Sequence, residues 1–146
     1  MTTHVYLKQI DRFDRMIHNK RLEIEDLRTN ATNVTVASDS ERVKSSGNKD
    51  KIGSMAVLIA DLENEIKNLE IKRKTILSQI DGIANIKQYD TLVWFYILHK
   101  DIIDIADHLN CSESNVKRLK GLALKEFERK YGVTYLNITP DYTKMY

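Results

Sequence analysis

The stretch KIGSMAVLIADLENEIKNLEIKRKTILSQIDGI, Lys51–Ile83, decides the fold. Ile52, Met55, Ile59, Leu62, Ile66, Leu69, Ile76, Ile80 and Ile83 recur at alternating spacings of three and four, with Arg73 the one break. That is the period of an α-helix with one apolar seam; a half-buried strand would alternate by two. At about 1.5 Å per residue the helix would be roughly 50 Å long. Such a helix needs a partner for its seam.

The chain supplies one upstream. Tyr6, Ile10, Phe13, Ile17, Ile24 and Leu27 keep the same spacing, and Lys20 fills the one gap. Between the two segments, Thr29–Asp50 is rich in Ser, Thr, Asn and Asp and has no helical period, so it is expected as a polar loop. Asn48 or Asp50 would then cap the second helix. Residues 1–84 are expected to form a long antiparallel helical hairpin of coiled-coil type, with Leu27 near Ile52 and Arg73 opposite Tyr6. Lys20 and Arg73 would pack their stems and keep their charges in water. A parallel coiled-coil dimer competes with this arrangement. Val57, Leu58, Ile71 and Leu77 lie off the seam, where one partner helix cannot cover them all. This predicts a homodimer or higher homo-oligomer, a bundle of about four helices.

Composition agrees with an all-α chain. Among 146 residues there are five glycines and one proline, Pro140, so helix breakers are scarce. No apolar run reaches the roughly 18 residues of a membrane span. The first residues, MTTHVYLKQIDRFDR, lack the apolar run of a signal peptide. The single cysteine, Cys111, has no internal disulfide partner. A cytoplasmic protein without a membrane partner is expected.

Downstream, IKQYDTLVWFYILHKD (Ile86–Asp101) reads as one helix that carries the only tryptophan. DIIDIADHLN follows, with Ile102, Ile105, Ala106 and Leu109 on one stripe. The turn Asn110–Cys111–Ser112 leads into a last helix that Ser112 would cap. Val116, Leu119, Ala123, Leu124 and Phe127 form the buried face of that helix. Residues 85–131 therefore read as a helix-turn-helix domain with a supporting helix. From Ser112 to Tyr131 there are six basic and three acidic residues, against two and four from Asn85 to Cys111. The overall charge is only +2, so the positive charge gathers on the last helix. A helix seated in the major groove of duplex DNA needs that distribution.

The candidate DNA-binding residues are Ser112, Glu113, Ser114, Asn115, Lys117, Arg118, Lys120, Gly121, Lys125 and Arg129. Glu113 would accept from a cytosine amino group, or merely suit the helix dipole. Glu41, Arg42, Val43, Lys44, Ser45 and Ser46 in the polar loop are candidates for binding a partner or docking on the chain's own bundle; contact of Arg42 and Lys44 with DNA phosphates is a third role, which the zero net charge from Ala31 to Asp50 weakens. The tail, 132–146, holds Tyr135, Tyr142 and Tyr146 beyond Tyr131, and VTYLNI within it alternates like a short strand. His108 and Cys111 have a spacing a metal could use, but two ligands do not close a site. No nucleophile–base pair or glycine-rich phosphate loop stands out. No metal, cofactor or catalytic residue is expected, and the chain does not read as an enzyme.

The segment DIADHLNCSESNVKRLKGLALKEF resembles the fourth region of bacterial sigma factors, which binds promoter DNA with a helix-turn-helix. Ile105-Ala106, Leu109, Ser112 through Arg118 and Ala123-Leu124 carry the match. By that resemblance Glu113, Ser114, Lys117 and Arg118 face bases or nearby phosphates. Residues 5 to 130 also resemble RinA- or ArpU-like regulators from phages and prophages of Gram-positive bacteria. That likeness rests on YLKQIDRFDRMIHNK, SERVKSSGNKDKI and the sigma-like end. It implies a DNA-binding regulator of transcription that acts on phage late genes; sequence-specific binding to double-stranded promoter DNA in the host cytoplasm is expected, with RNA polymerase a candidate partner through the hairpin and loop. Two other readings compete. A small terminase-like packaging protein would form a ring, and a protein-interaction module would not need Lys117 or Arg118 for DNA.

Overall fold

Glycine and proline are absent before Gly47, and the backbone uses that freedom. In a computed structural model, which describes the backbone of residues 1–40 and 45–136 and the side chains of 1–32 and 50–136, helix α1 spans Thr3–Ser40. Thr2 caps it, its hydroxyl accepting from the Val5 amide at 3.2 Å. Helix α2 spans Ser45–Asp81. The expected loop 29–50 is therefore helical at 29–40 and 45–50. Thr29 and Thr32 explain part of this: each hydroxyl donates to the carbonyl four residues back, Glu25 and Arg28, at 2.9 Å. Hydroxyls satisfied within the helix no longer compete with it. Asn48 and Asp50 lie inside α2 rather than at its start. Glu41–Lys44 of the candidate partner loop lie outside the described residues, as do the side chains of Ser45 and Ser46 and the tail beyond Leu136.

The chain divides into two units. Residues 13–72 form one of them. Its seam buries Ile17, Ile24, Ile66 and Leu69, with Phe13, Met16, Ile59 and Leu62 packed against them. Arg28 pairs with Glu63 at 2.9 Å and Arg21 with Glu70 at 2.8 Å, so the helices run antiparallel. Lys20, in the gap of the seam, holds its ammonium on Glu65 at 2.7 Å while its side chain stays 23% exposed. Each of these surface pairs contributes about 1 kcal/mol or less. They discriminate register, and the seam supplies the stability. Val57, Leu58 and Ile71 are more than half exposed in the single chain, as their off-seam positions predict.

The second unit joins residues 1–12 to 73–146, so the ends of both long helices pack with the C-terminal segments, and the sequence-based boundary at residue 84 is not where the packing divides. Helix α3 spans Ile86–Leu92, capped by Asn85. A wider π-helical turn, Val93–Ile97, then replaces the rest of the expected single helix. Leu98 donates to the Val93 carbonyl at 3.0 Å and Lys100 to that of Trp94 at 2.9 Å. The widened turn splays the aromatic run, with Tyr96 buried while Trp94 and Phe95 turn toward the later helices. Helix α4 spans Ile102–Leu109 and α5 spans Glu113–Tyr131. The core gathers Leu7, Ile10, Ile80, Leu92, Ile105, Val116, Phe127 and Tyr135, all fully buried or nearly so. A buried Phe127 side chain alone contributes about 1.5–3 kcal/mol.

Tyr6 does not meet Arg73. Its hydroxyl donates to Gln79 at 2.7 Å, six positions further along. Helix α1 runs on to Ser40 and α2 begins at Ser45, instead of the expected 28 and 51, and Lys20–Glu65 carries the same six-position displacement as Tyr6–Gln79. Of the alternating VTYLNI, Val133 and Thr134 lie in a 3-10 turn, Gly132–Thr134, and Asn137 and Ile138 lie outside the described residues. The turn seats Tyr135 face to face on Tyr6, ring centroids 4.2 Å apart.

Candidate nucleic-acid interface

Helix α4 begins at the cap Asp101, whose carboxylate accepts from the Asp104 amide at 2.9 Å. It ends at Asn110, which adopts the left-handed conformation at φ 52°, a position asparagine tolerates better than most side chains. Cys111 then donates from its backbone to the Ala106 carbonyl at 3.1 Å. Ser112 caps α5, its hydroxyl accepting from the Asn115 amide at 3.1 Å. Ile105, Ala106 and Val116 form the joint between the two helices, with Trp94, Phe95, Ile102, Leu109 and Cys111 around it. The ring of His108 stacks on Trp94, centroids 3.8 Å apart.

Burial of Val116, Leu119, Ala123 and Phe127 turns the opposite face of α5 outward. Ser112, Glu113, Ser114, Lys117, Arg118 and Gly121 are exposed, and Asn115 half so. Arg118 is steadied by Asn115, whose side-chain oxygen accepts from its Nε at 3.1 Å. A methyl group at Gly121 would meet nothing. Lys125 and Arg129 continue this surface toward the C-terminal end. Arg129 makes two hydrogen bonds to Glu126, at 3.0 and 2.6 Å, which hold the Glu126 carboxyl below its ordinary range. A phosphate could displace so exposed a pair at little cost.

Lys120 departs from this set. Its ammonium sits 3.6 Å from the centre of the Phe95 ring, and burial, then the charge of Lys8, push its pKa down. It belongs to the shoulder between α5 and the start of α1 rather than to the outward face.

The sequence pattern of DUF1492, described as a protein of unknown function, matches residues 32–128, two-thirds of the chain. The chain belongs to the DUF1492 family. No curated protein and no solved structure matches it. The part shared with DUF1492 takes in α2, α3, α4, the turn after it and α5 as far as Glu128.

Sequence reasoning missed the residues that brace α5 from the N-terminus. Thr3 meets the Tyr135 hydroxyl at 2.7 Å and donates to Glu128 at 3.3 Å. His4 Nδ1 meets the Tyr96 hydroxyl at 2.6 Å. Lys130 donates to the Gly82 carbonyl, at the end of α2 where carbonyls lack helical partners. These pairs are 48 to 132 residues apart in the chain, and no local pattern announces them.

Proposed function

We propose that this protein binds double-stranded DNA sequence-specifically through α5 and regulates transcription. One observation carries the reading. The helix after a tight, capped turn is packed on one face by Val116, Leu119, Ala123 and Phe127 and offers Glu113, Ser114, Lys117, Arg118 and Gly121 on the other. Side chains near the start of such a helix reach base edges, and basic groups beside it meet phosphates. The resemblance to phage regulators directs the proposal to promoters of phage or prophage late genes in the host cytoplasm, with RNA polymerase as a candidate protein partner. The role is that of a binding protein rather than an enzyme.

A second copy of the chain is the proposed partner for α2, where Val57 is 61% and Leu58 51% exposed. Isolated apolar residues on a surface are ordinary; two adjacent ones on a heptad-patterned helix fit self-association.

Selection of bound sequences from a random duplex library tests the reading. A defined site is expected, palindromic if two copies bind symmetrically. Lys117→Ala with Arg118→Ala should weaken binding to that site by roughly 1–3 kcal/mol for each base edge that the two side chains read. An unchanged affinity at moderate salt would remove α5 as the reader, and a ring-shaped oligomer would favour a packaging role.

A further inference from the structure

The two arginines of α5 are held in opposite ways. Arg129 spends Nε and a terminal nitrogen on Glu126, at 3.0 and 2.6 Å, so a carboxylate meets its charge. Arg118 is exposed and is held through Nε alone, by a neutral group, the side-chain oxygen of Asn115 at 3.1 Å. Both of its terminal nitrogens stay open. This tether follows from the helix cap. The Ser112 hydroxyl accepts from the Asn115 amide at 3.1 Å, which fixes the backbone of Asn115 in the first turn. In a capping box a Glu or Gln at this position reaches back to the cap residue. Asn115 is one methylene shorter and turns forward instead, to the side chain one turn on.

The chemistry of the pair has one sense. A guanidinium carries only donors, so Asn115 presents its oxygen to Arg118. With Nε occupied, Arg118 keeps the end of its fork, two terminal groups that donate side by side. In the major groove only guanine offers two adjacent acceptors, N7 and O6. Adenine sets a donor beside its acceptor, thymine a methyl group, and cytosine presents a donor. A fork made only of donors therefore fits guanine. Part of the rotamer freedom that an untethered arginine loses on binding is already lost in the free protein.

We propose that Arg118 reads a guanine of the DNA site and that Asn115 is the positioning residue that aims it. The inference rests on the reading of α5 as a DNA-binding helix and adds to it the base and the group that orients the side chain. Lys117, a flexible point charge without a fork, is left to the phosphates.

The test uses the full chain and a duplex carrying the site selected from random sequences. Exchanging the read guanine's pair for A·T should weaken wild-type binding by roughly 5- to 150-fold. Replacing that guanine with 7-deazaguanine, which lacks N7 and pairs normally, should cost part of the same factor. Arg118→Ala should erase both penalties, and Arg118→Lys, which keeps the charge without the fork, should not restore them. Asn115→Ala should shrink the A·T penalty by roughly 2- to 12-fold, the worth of one hydrogen bond. Added to Arg118→Ala it should change the penalties no further, because it acts through Arg118. An Asn115 needed only for folding would weaken every duplex alike and would still act without Arg118. Guanine penalties that survive Arg118→Ala would overturn the assignment and leave the reading of α5 to its other residues. Penalties unchanged by Asn115→Ala would overturn the positioning role. Failure to bind any duplex would overturn the reading of α5 and this inference with it.

Discussion

His4 and Gly82 each meet a constraint particular to their place in the fold. The Tyr96 hydroxyl meets the His4 ring at 2.6 Å, and burial followed by two lysine charges lowers the His4 pKa below 6.5. A proton on His4 is therefore bound more weakly in the folded chain than in the unfolded one. Its contribution to stability is complete above about pH 6.5 and is lost as pH falls through the lowered folded value. Denaturant midpoints measured from pH 7.5 to 5 should decline, and His4→Gln should make that decline shallower. An identical pH profile for the variant would exclude His4 as a source. Gly82 has an equally specific constraint. A Cβ there would collide with the Tyr131 hydroxyl and lie 3.2 Å from the Gln79 carbonyl. Gly82→Ala should cost roughly 1–3 kcal/mol, the usual range for overpacking. Gly121→Ala, with open space around it, should instead stabilise by up to about 1 kcal/mol. Urea unfolding of the two variants compares them directly.

At the scale of elements, the extent of α1 and the cap of α5 separate what composition suggests from what hydrogen bonding permits. Thr32 lies in a stretch whose composition reads as loop, yet it sits inside α1 with its hydroxyl on the Arg28 carbonyl. Thr32→Pro would remove an amide donor and push its ring against that carbonyl, costing about 3 kcal/mol or more. A loop would accept the same change almost without effect, so circular dichroism and thermal melting distinguish the two. Ser112→Ala removes the acceptor for the Asn115 amide and should cost about 1 kcal/mol. Because the same turn aims Glu113 and Ser114, the variant should also weaken duplex binding if α5 is the reader. The helix-turn-helix is legible in sequence because everything that defines it is local: an N-cap serine, a residue suited to left-handed backbone and a 3-4 apolar pattern. The π-helical turn is not legible, since VWFYI is apolar on all sides and periodicity cannot choose between one continuous helix and a widened turn.

For the whole molecule, all described secondary structure is helical, and none of the described helices is long and apolar enough to cross a membrane. Both long helices take part in both units. Self-association is the property that belongs to this scale. Replacing Val57 and Leu58 together with lysine leaves the seam residues Ile17, Ile24, Ile66 and Leu69 untouched. The variant should keep its helical content while light scattering reports a lower mass than for the wild type. An unchanged mass would place the second copy elsewhere or remove it.

The sequence by itself determined the helical class, the seam residues, the buried and outward faces of α5 and the serine that caps it. Each follows from a repeat of three to four residues or from a hydrogen bond within one turn. Tertiary structure decided the register of the hairpin, because register depends on where the connection lies and on packing summed along two helices. It also set Lys120, a candidate DNA-binding residue, over the Phe95 ring, and brought Tyr135 onto Tyr6 and Thr3. Tyr135 is more than a hundred residues from Tyr6 and from Thr3, and only the folded chain makes them neighbours.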